Sequence, residues 1–180
     1  MYPQIGVCGL SCRLCPAYHR ETASKCEGCK TKSRVNSGCT FIRCAFKKKG
    51  LEFCWLCEDA DSCKKVMKHK EFSRHHDSFV CYQKLEENIG LAKEDVVEFE
   101  QDQKKREKLL KEMLGKFNEG RSKTYYCIAS TVCEIEDLKK IIDSAKVQSI
   151  GLDMTEKSKV LHHLLNNHAK EQGLLLKLRK

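Results

Sequence analysis

Ten of the first 63 residues are cysteines, and most lie within a few residues of another cysteine. The ten are Cys8, Cys12, Cys15, Cys26, Cys29, Cys39, Cys44, Cys54, Cys57 and Cys63. A Cys-x2-Cys turn can place two sulfurs on one cation, at about 2.3 Å each for zinc. Three such turns occur here, so the sequence predicts that all ten residues are metal ligands.

Eight of the ten cysteines could form two four-thiolate sites. The first predicted site consists of Cys12, Cys15, Cys26 and Cys29, and the second of Cys44, Cys54, Cys57 and Cys63. Cys8 and Cys39 remain, so other partitions, including a third site or a shared sulfur, stay open. A histidine, His19 or His69, is an alternative fourth ligand where a thiolate is missing.

The cysteine-rich segment has too few large apolar residues to fold around hydrocarbon alone. Of residues 1–70, 17 are Val, Ile, Leu, Met, Phe, Trp or Tyr. Ordering such a segment costs roughly 100 kcal/mol, at about 1.5 kcal/mol per residue. A structural zinc stabilises the folded form by an apparent ~10–16 kcal/mol. We therefore expect two or more zinc ions per chain and a loop-rich module organised around them.

Cysteine usage and apolar patterning predict a cytoplasmic protein that does not enter a membrane. No apolar run approaches the roughly 18 residues that a spanning helix needs. The opening MYPQIGVCG lacks the basic and apolar regions of a signal peptide. Reduced thiols in the cytosol favour metal binding over disulfides, and 13 cysteines is an odd number. A disulfide-linked secreted domain is the alternative.

Positive charge is concentrated in the first part of the chain. Residues 1–75 carry 15 Lys and Arg against 7 Asp and Glu, whereas residues 76–180 are nearly balanced. A basic module can bind nucleic acid, and Trp55 within a cysteine turn could stack on a base. The excess can equally neutralise thiolate sites, and Trp55 can pack beneath its turn. The sequence is consistent with both a nucleic-acid surface and neutralisation of the thiolate sites.

From about residue 71 the pattern becomes helical, so we predict a mainly α fold with two parts. Residues 1–70 form the small cysteine module, and residues 71–180 form a helical domain packed against it. We predict a helix that stops at Gly90, and then a long helix from about 93 to 114 with a solvated middle. Further helices are expected at 124–133, at 135–145 and from a capping box at Asp153 to Gly173. Residues 174–180 form a short strand or a docked extension.

Several segments together resemble a prokaryotic family known only as a cysteine-rich domain of unknown function. The shared segments are CGLSCRLCPAY (8–18), CEGC (26–29), CTFIRCA (39–45), GLEFCWLCEDADSC (50–63), NEGRSKTYYC (118–127) and LLLKLRK (174–180). The interval between Cys15 and Cys26 is shorter than is usual in that family. The resemblance implies zinc binding and no particular activity.

Iron–sulfur chemistry is the main alternative to zinc, because all-thiolate ligation suits both. The spacing Cys8-x3-Cys12-x2-Cys15 also occurs in radical enzymes that use S-adenosylmethionine. Those enzymes need a barrel of βα repeats, which this sequence lacks, and an aromatic residue where this chain has Leu14. We therefore expect zinc in a structural role, a protein partner and no catalysis. An iron–sulfur redox or sensor protein is the alternative, and a nucleic-acid-binding zinc module is a third.

Overall fold

A computed structural model describes residues 1–36 and 38–180 and is mainly α-helical, as the sequence predicts. The described residues contain seven α-helices and no β-strand. The helices are α1 (Lys32–Val35), α2 (Lys64–His75), α3 (Leu85–Glu94), α4 (Val96–Lys116), α5 (Lys123–Val132), α6 (Ile135–Gln148) and α7 (Met154–Gln172). None of the helices in these residues is long and apolar enough to cross a membrane.

The segment before α2 consists of loops and short turns. Two single 3-10 turns, Cys12–Leu14 and Cys54–Leu56, and a π-helix, Ile42–Lys48, are its main regular elements besides α1. An isolated β-bridge joins Ile5 to Ser11. The scarcity of apolar residues explains this architecture, because short elements with few apolar side chains cannot bury a continuous face.

The main hydrophobic core lies among α4, α5, α6 and α7. Its largest fully buried side chains are Tyr126, Phe117, Leu110, Met113, Leu138, Ile142, Leu161 and Leu165. Such residues recur every three or four positions along each helix and so share one face. Leu14, from the first cysteine turn, is buried in the same core, so the cysteine-rich segment and the helical domain share apolar packing.

The last two predicted helix boundaries are confirmed. The Asp153 side chain accepts from the Glu156 amide, and the Glu156 carboxylate accepts from the Asp153 amide, which completes the predicted capping box. Gly173 ends α7 with a φ of 65°. This left-handed conformation is the one that favours glycine at a helix C-terminus.

The helical region begins earlier than the sequence indicated, and one predicted stop is wrong. α2 already starts at Lys64, directly after the last clustered cysteine. Gly90 lies inside α3, which continues to Glu94. Glycine costs only about 1 kcal/mol in a helix interior, so packing of Leu85 and Ile89 against neighbouring elements can override it.

The middle of α4 is buried on one side, which corrects the prediction of a solvated waist. Glu100, Gln103 and Glu107 are each at most 7 % exposed. Arg13 from the first cysteine turn lies between the two carboxylates and forms ion pairs with both. The polar run on α4 thus receives a cation from a distant part of the chain, and sequence spacing could not show this.

The C-terminal residues dock onto the loop before α3 and form no strand. The buried Asp77 carboxylate accepts from the backbone amide of Arg179 at 2.8 Å and from its Nε at 2.9 Å. Gln83 Nε2 donates to the Leu175 carbonyl at 2.9 Å. The docked-extension alternative for residues 174–180 is therefore correct.

Candidate metal centre

The two Cys-x2-Cys turns at Cys12 and Cys54 have the same backbone conformation. In each, a single 3-10 turn directly precedes the second cysteine. The backbone of that cysteine is extended, with φ and ψ of −89° and 129° at Cys15 and −77° and 135° at Cys57. The amide of each second cysteine donates to the carbonyl of the first, at 3.1 Å and 3.2 Å. Matching backbone turns therefore carry both cysteine pairs.

Both turns are attached to one N-terminal segment, residues 4–7. The Cys12 amide donates to the Gln4 carbonyl at 2.7 Å, and the Cys54 amide donates to the Val7 carbonyl at 2.8 Å. Cysteines 42 residues apart in the sequence are therefore held on a common backbone support. Hydrogen bonds of this kind preorganise ligands before any ion binds.

A close approach to α3 fixes the loop between these contacts. Gly9 has a φ of 96°, and a Cβ at this position would lie 2.5 Å from Cγ1 of Ile89. Only glycine combines that backbone conformation with so little space. Trp55 stacks on Phe53 with ring centroids 4.3 Å apart and packs against an apolar cluster that includes Ile5. This agrees with the interpretation of Trp55 as a packing residue.

The first predicted site is partly assembled. Cys12 Sγ and Cys29 Sγ lie 3.9 Å apart. A tetrahedron with metal–sulfur distances of about 2.3 Å has sulfur–sulfur edges of about 3.8 Å. Cys26 lies near enough to Cys15 for a charge interaction, and all four residues line one cavity of about 530 Å³. These four thiols form what we call the first thiol group.

The pKa values of Cys12 and Cys29 are shifted in opposite directions. The hydrogen bond between Cys12 and Cys29 lowers the pKa of Cys29 to about 7 and raises that of Cys12. Cys29 therefore becomes a thiolate more readily than Cys12. A thiolate is the form that binds a metal ion.

The second predicted set is also brought together. Cys44, Cys54, Cys57 and Cys63 line one small cavity of about 30 Å³, and we call them the second thiol group. The π-helix supplies Cys44, the second cysteine turn supplies two thiols, and Cys63 immediately precedes α2. Burial raises the pKa of Cys54 to about 12, so this thiol stays protonated unless a cation is present.

Basic side chains approach the sulfurs directly. Lys49 Nζ donates to Cys57 Sγ at 2.9 Å, and Arg34 Nε donates to Cys26 Sγ at 3.4 Å. Lys30, whose side chain is fully buried, lies near enough to Cys29 for charge interaction and forms an ion pair with Glu52 at 2.9 Å. These contacts favour the interpretation that part of the basic excess neutralises thiolates.

Sequence reasoning missed these individual basic residues, as well as Arg13. Their only signal was position, because Lys30 directly follows Cys29 and Arg13 lies between Cys12 and Cys15. Hydrogen bonds to thiolates commonly orient metal ligands. Proximity in sequence to a predicted ligand was therefore the available signal. It does not show whether a basic residue contacts sulfur or forms an ion pair with α4.

The two remaining thiols of the cluster lie between the groups. Cys8 and Cys39 interact electrostatically with each other, and both affect Cys54 of the second group. Both also line the cavity of about 530 Å³ beside the first group. The structure therefore brings the ten predicted ligands into one continuous region and leaves open how they would be divided among ions.

The donors suit a thiophilic ion, but they are not yet closed around one. All thirteen cysteines are free thiols, as zinc or iron–sulfur binding requires. Within residues 1–36 and 38–180, no three Cys, His, Asp or Glu side chains already have an arrangement that could hold a metal ion. Binding would require the side chains to move closer together.

The other candidate residues have ordinary structural roles. Cys81, Cys127 and Cys133 are buried in the helical core. His162 Nε2 lies 2.7 Å from the Ser122 hydroxyl, and the His19 Nε2 lies 2.6 Å from the Arg13 carbonyl. These contacts give both histidines polar partners in the protein.

Comparison with known proteins gives one partial match. A family model described as "Protein of unknown function (DUF3795)" matches residues 4–68, about a third of the chain. Neither the curated proteins nor the solved structures contain a match. The matched residues contain all ten clustered cysteines, whereas segments 118–127 and 174–180 lie outside them. The N-terminal part of the chain is thus similar to an uncharacterised family whose description names no activity.

Proposed function

We propose that this chain is a zinc-binding protein in which thiolate-bound ions organise residues 1–70 and so create a surface for a protein partner. The two thiol groups would each hold one ion, and zinc would supply a fixed tetrahedral junction between chain segments. The role is binding rather than catalysis. The reducing cytoplasm is the proposed compartment, because thiolates there remain available to metal.

The sulfur–sulfur separation of 3.9 Å between Cys12 and Cys29 is the observation that carries this proposal. These residues belong to different turns, 17 positions apart, yet their sulfurs lie at the spacing of a zinc tetrathiolate. The matching conformation of the two cysteine turns supports a second site of the same kind. Lys49 and Arg34 would then donate to metal-bound sulfur.

The metal proposal is tested by elemental analysis of anaerobically purified protein, followed by chelation. We expect two or more zinc ions per chain in colourless protein. Trp55 is the only tryptophan and adjoins Cys54, so its fluorescence should report loss of the ions. Chelation should shift its emission towards that of a solvated indole and lower the melting temperature, and zinc should restore both. Unchanged emission and melting temperature after complete metal removal would contradict the proposal.

The same measurement distinguishes iron–sulfur chemistry. Brown protein that contains iron and inorganic sulfide, and that loses its visible absorption in air, would replace zinc by an iron–sulfur cluster. The redox or sensor alternative would then be preferred. Zinc that survives aerobic handling at constant stoichiometry would exclude that outcome.

Exposed apolar side chains in and after α2 support the proposed partner surface. Met67, Phe72 and Phe79 are 55 %, 44 % and 62 % exposed. Lys64 and Lys65 lie on the same helix and are also exposed. Because α2 begins directly after Cys63, loss of metal from the second group should disturb this surface.

Introducing negative charge at exposed apolar positions tests the surface. Immobilised zinc-loaded protein should retain a partner from cell extract, and M67E/F72E should abolish that retention. V147E/I150E is the matched control, because Val147 and Ile150 are exposed apolar residues beyond the metal module. Equal loss in both variants would contradict a specific surface. Retention that nuclease removes and that salt weakens steeply would instead support nucleic-acid binding.

A further inference from the structure

We infer that Cys8, Cys39 and His69 bind a third metal ion, with one coordination position left open to the cavity of about 530 Å³. This inference rests on the proposed function, since the other eight thiols must hold their own ions. Two thiolates and one imidazole are a ligand set that zinc accepts together with an exchangeable fourth ligand. The third site would therefore differ in kind from the two closed thiolate sites.

The Nε2 atom of His69 is the first observation for this site. It is buried and has no hydrogen-bond partner among residues 1–36 and 38–180. A buried polar atom without a partner costs roughly 1–3 kcal/mol, so such atoms usually have a reason to persist. A metal ion that accepts the nitrogen lone pair would remove this cost.

The position of His69 relative to the unassigned thiols is the second observation. His69 and Cys8 line two separate cavities together, the large one and a small one beside Trp55. Cys39 shares the large cavity with them. The ring of Tyr82 lies 5.3 Å from the His69 ring, and its phenol is affected by the charges of both cysteines. All three proposed ligands therefore line one cavity, and each has a contact or a charge interaction with Tyr82.

Two neighbouring candidates for this site, His19 and Tyr82, already have polar partners. His19, the other candidate histidine, already contacts the Arg13 carbonyl at 2.6 Å, so it is not equivalent to His69. The Tyr82 hydroxyl accepts from Ser78 at 2.9 Å and has a partner. Cys8 and Cys39 are outside both four-thiol groups. Assigning these two thiols and His69 to one ion leaves none of the ten clustered cysteines unused.

The cavity indicates what the open position would bind. Besides the thiols, its walls include Phe41, Phe79 and Val80, and Arg34 also lies on it. An apolar wall with one cation suits a small ligand that has a metal-binding donor atom, such as an imidazole, a thiol or a carboxylate. The closed four-thiolate sites have no position for such a ligand.

Cobalt substitution tests the third site with a readout that is independent of any activity. We expect three cobalt ions per chain in the wild-type protein and two in H69F, which keeps an aromatic ring between Phe41 and Tyr82. The matched control is H75F, because His75 lies on the same helix and its side chain is 67 % exposed. H75F should keep three. Added imidazole should change the visible spectrum of wild-type and H75F protein and leave that of H69F unchanged.

Each outcome separates this inference from the proposed function. Two ions in the wild-type protein, or three in H69F, would overturn the third site and leave the two thiolate sites intact. Failure to bind any ion would instead refute the proposed function. Should H69F lose all its ions through misfolding, the wild-type imidazole titration decides, because an unresponsive spectrum would overturn the open site and a saturable change would support it.

Discussion

Arg13 Nη2 lies 2.6 Å from the Glu100 carboxylate, so a residue within the first cysteine turn forms an ion pair with the middle of α4. The other terminal nitrogen of the guanidinium, Nη1, binds Glu107, about two helical turns further along. The three side chains are between 7 % and 12 % exposed. The first cysteine turn and the helical core are therefore joined through charge as well as through Leu14.

Replacing Arg13 by methionine should destabilise the protein strongly. The change removes the cation that two nearly buried carboxylates share. Because Lys104 and Lys111 still pair with them, we expect a loss of about 3 kcal/mol, the lower end for a broken buried ion pair. R20M is the control, since Arg20 is exposed in the same segment. Urea unfolding of both variants, fully metal-loaded, measures the difference. Equal stability of R13M and R20M would show that the ion pairs contribute nothing.

Serine substitutions should separate ligand cysteines from core cysteines. C54S and C57S should each lose one zinc per chain and unfold the N-terminal module, because a structural zinc contributes an apparent ~10–16 kcal/mol. C81S should keep its metal and the module, since Cys81 lies in the helical core. Zinc content and Trp55 emission are the measurements. Equal tolerance at all three positions would contradict the ligand assignment.

Two glycines close to Ile89 should respond oppositely to alanine. G9A should be destabilised by more than about 1 kcal/mol, because its φ of 96° is unfavourable and the new Cβ would collide with Ile89. G90A should gain about 0.5–1 kcal/mol, because Gly90 lies within α3 and has open space around it. Denaturant unfolding of each single variant tests this. Stabilisation in G9A would show that the approach to α3 is loose.

The docked C-terminus should make stability depend on pH through Asp77. Although burial opposes ionisation, hydrogen bonds from Arg179 and the Tyr82 amide lower the pKa of Asp77 below its ordinary value. A lowered folded-state pKa stabilises the protein above the unfolded pKa of about 3.9, and this contribution disappears as pH falls through the folded-state value.

D77N should therefore be less stable than the wild type at pH 7, by about 1.5–3 kcal/mol for the lost charged hydrogen bonds. The difference between the two proteins should shrink as the pH falls below about 4. Comparing the two at each pH cancels the loss of metal that acid causes in both. A difference that stays constant down to acid pH would exclude Asp77 as its source.

Helix periodicity and capping were readable from the sequence because they are local. Asp153 and Glu156 are three residues apart, and the apolar stripe of α7 repeats within single turns, so neighbouring residues suffice to predict them. The prediction that a helix stops at Gly90 was wrong because contacts between distant parts of the chain decided the outcome. Burial of Leu85 and Ile89 comes from distant contacts, which outweigh the weak helix propensity of one glycine.

By itself, the sequence determined the mainly α fold and the cysteine-rich region, and it predicted a thiophilic metal as the ligand, because thiol spacing and helical periods are properties of short segments. Only the tertiary structure decided which groups meet across long intervals. It placed Arg13 against α4, brought Cys12 to Cys29 and, among the described residues, left His69 Nε2 without a hydrogen-bond partner in a cavity that Cys8 also lines. The physical reason is that packing of the whole chain sets such contacts, and local spacing does not encode it.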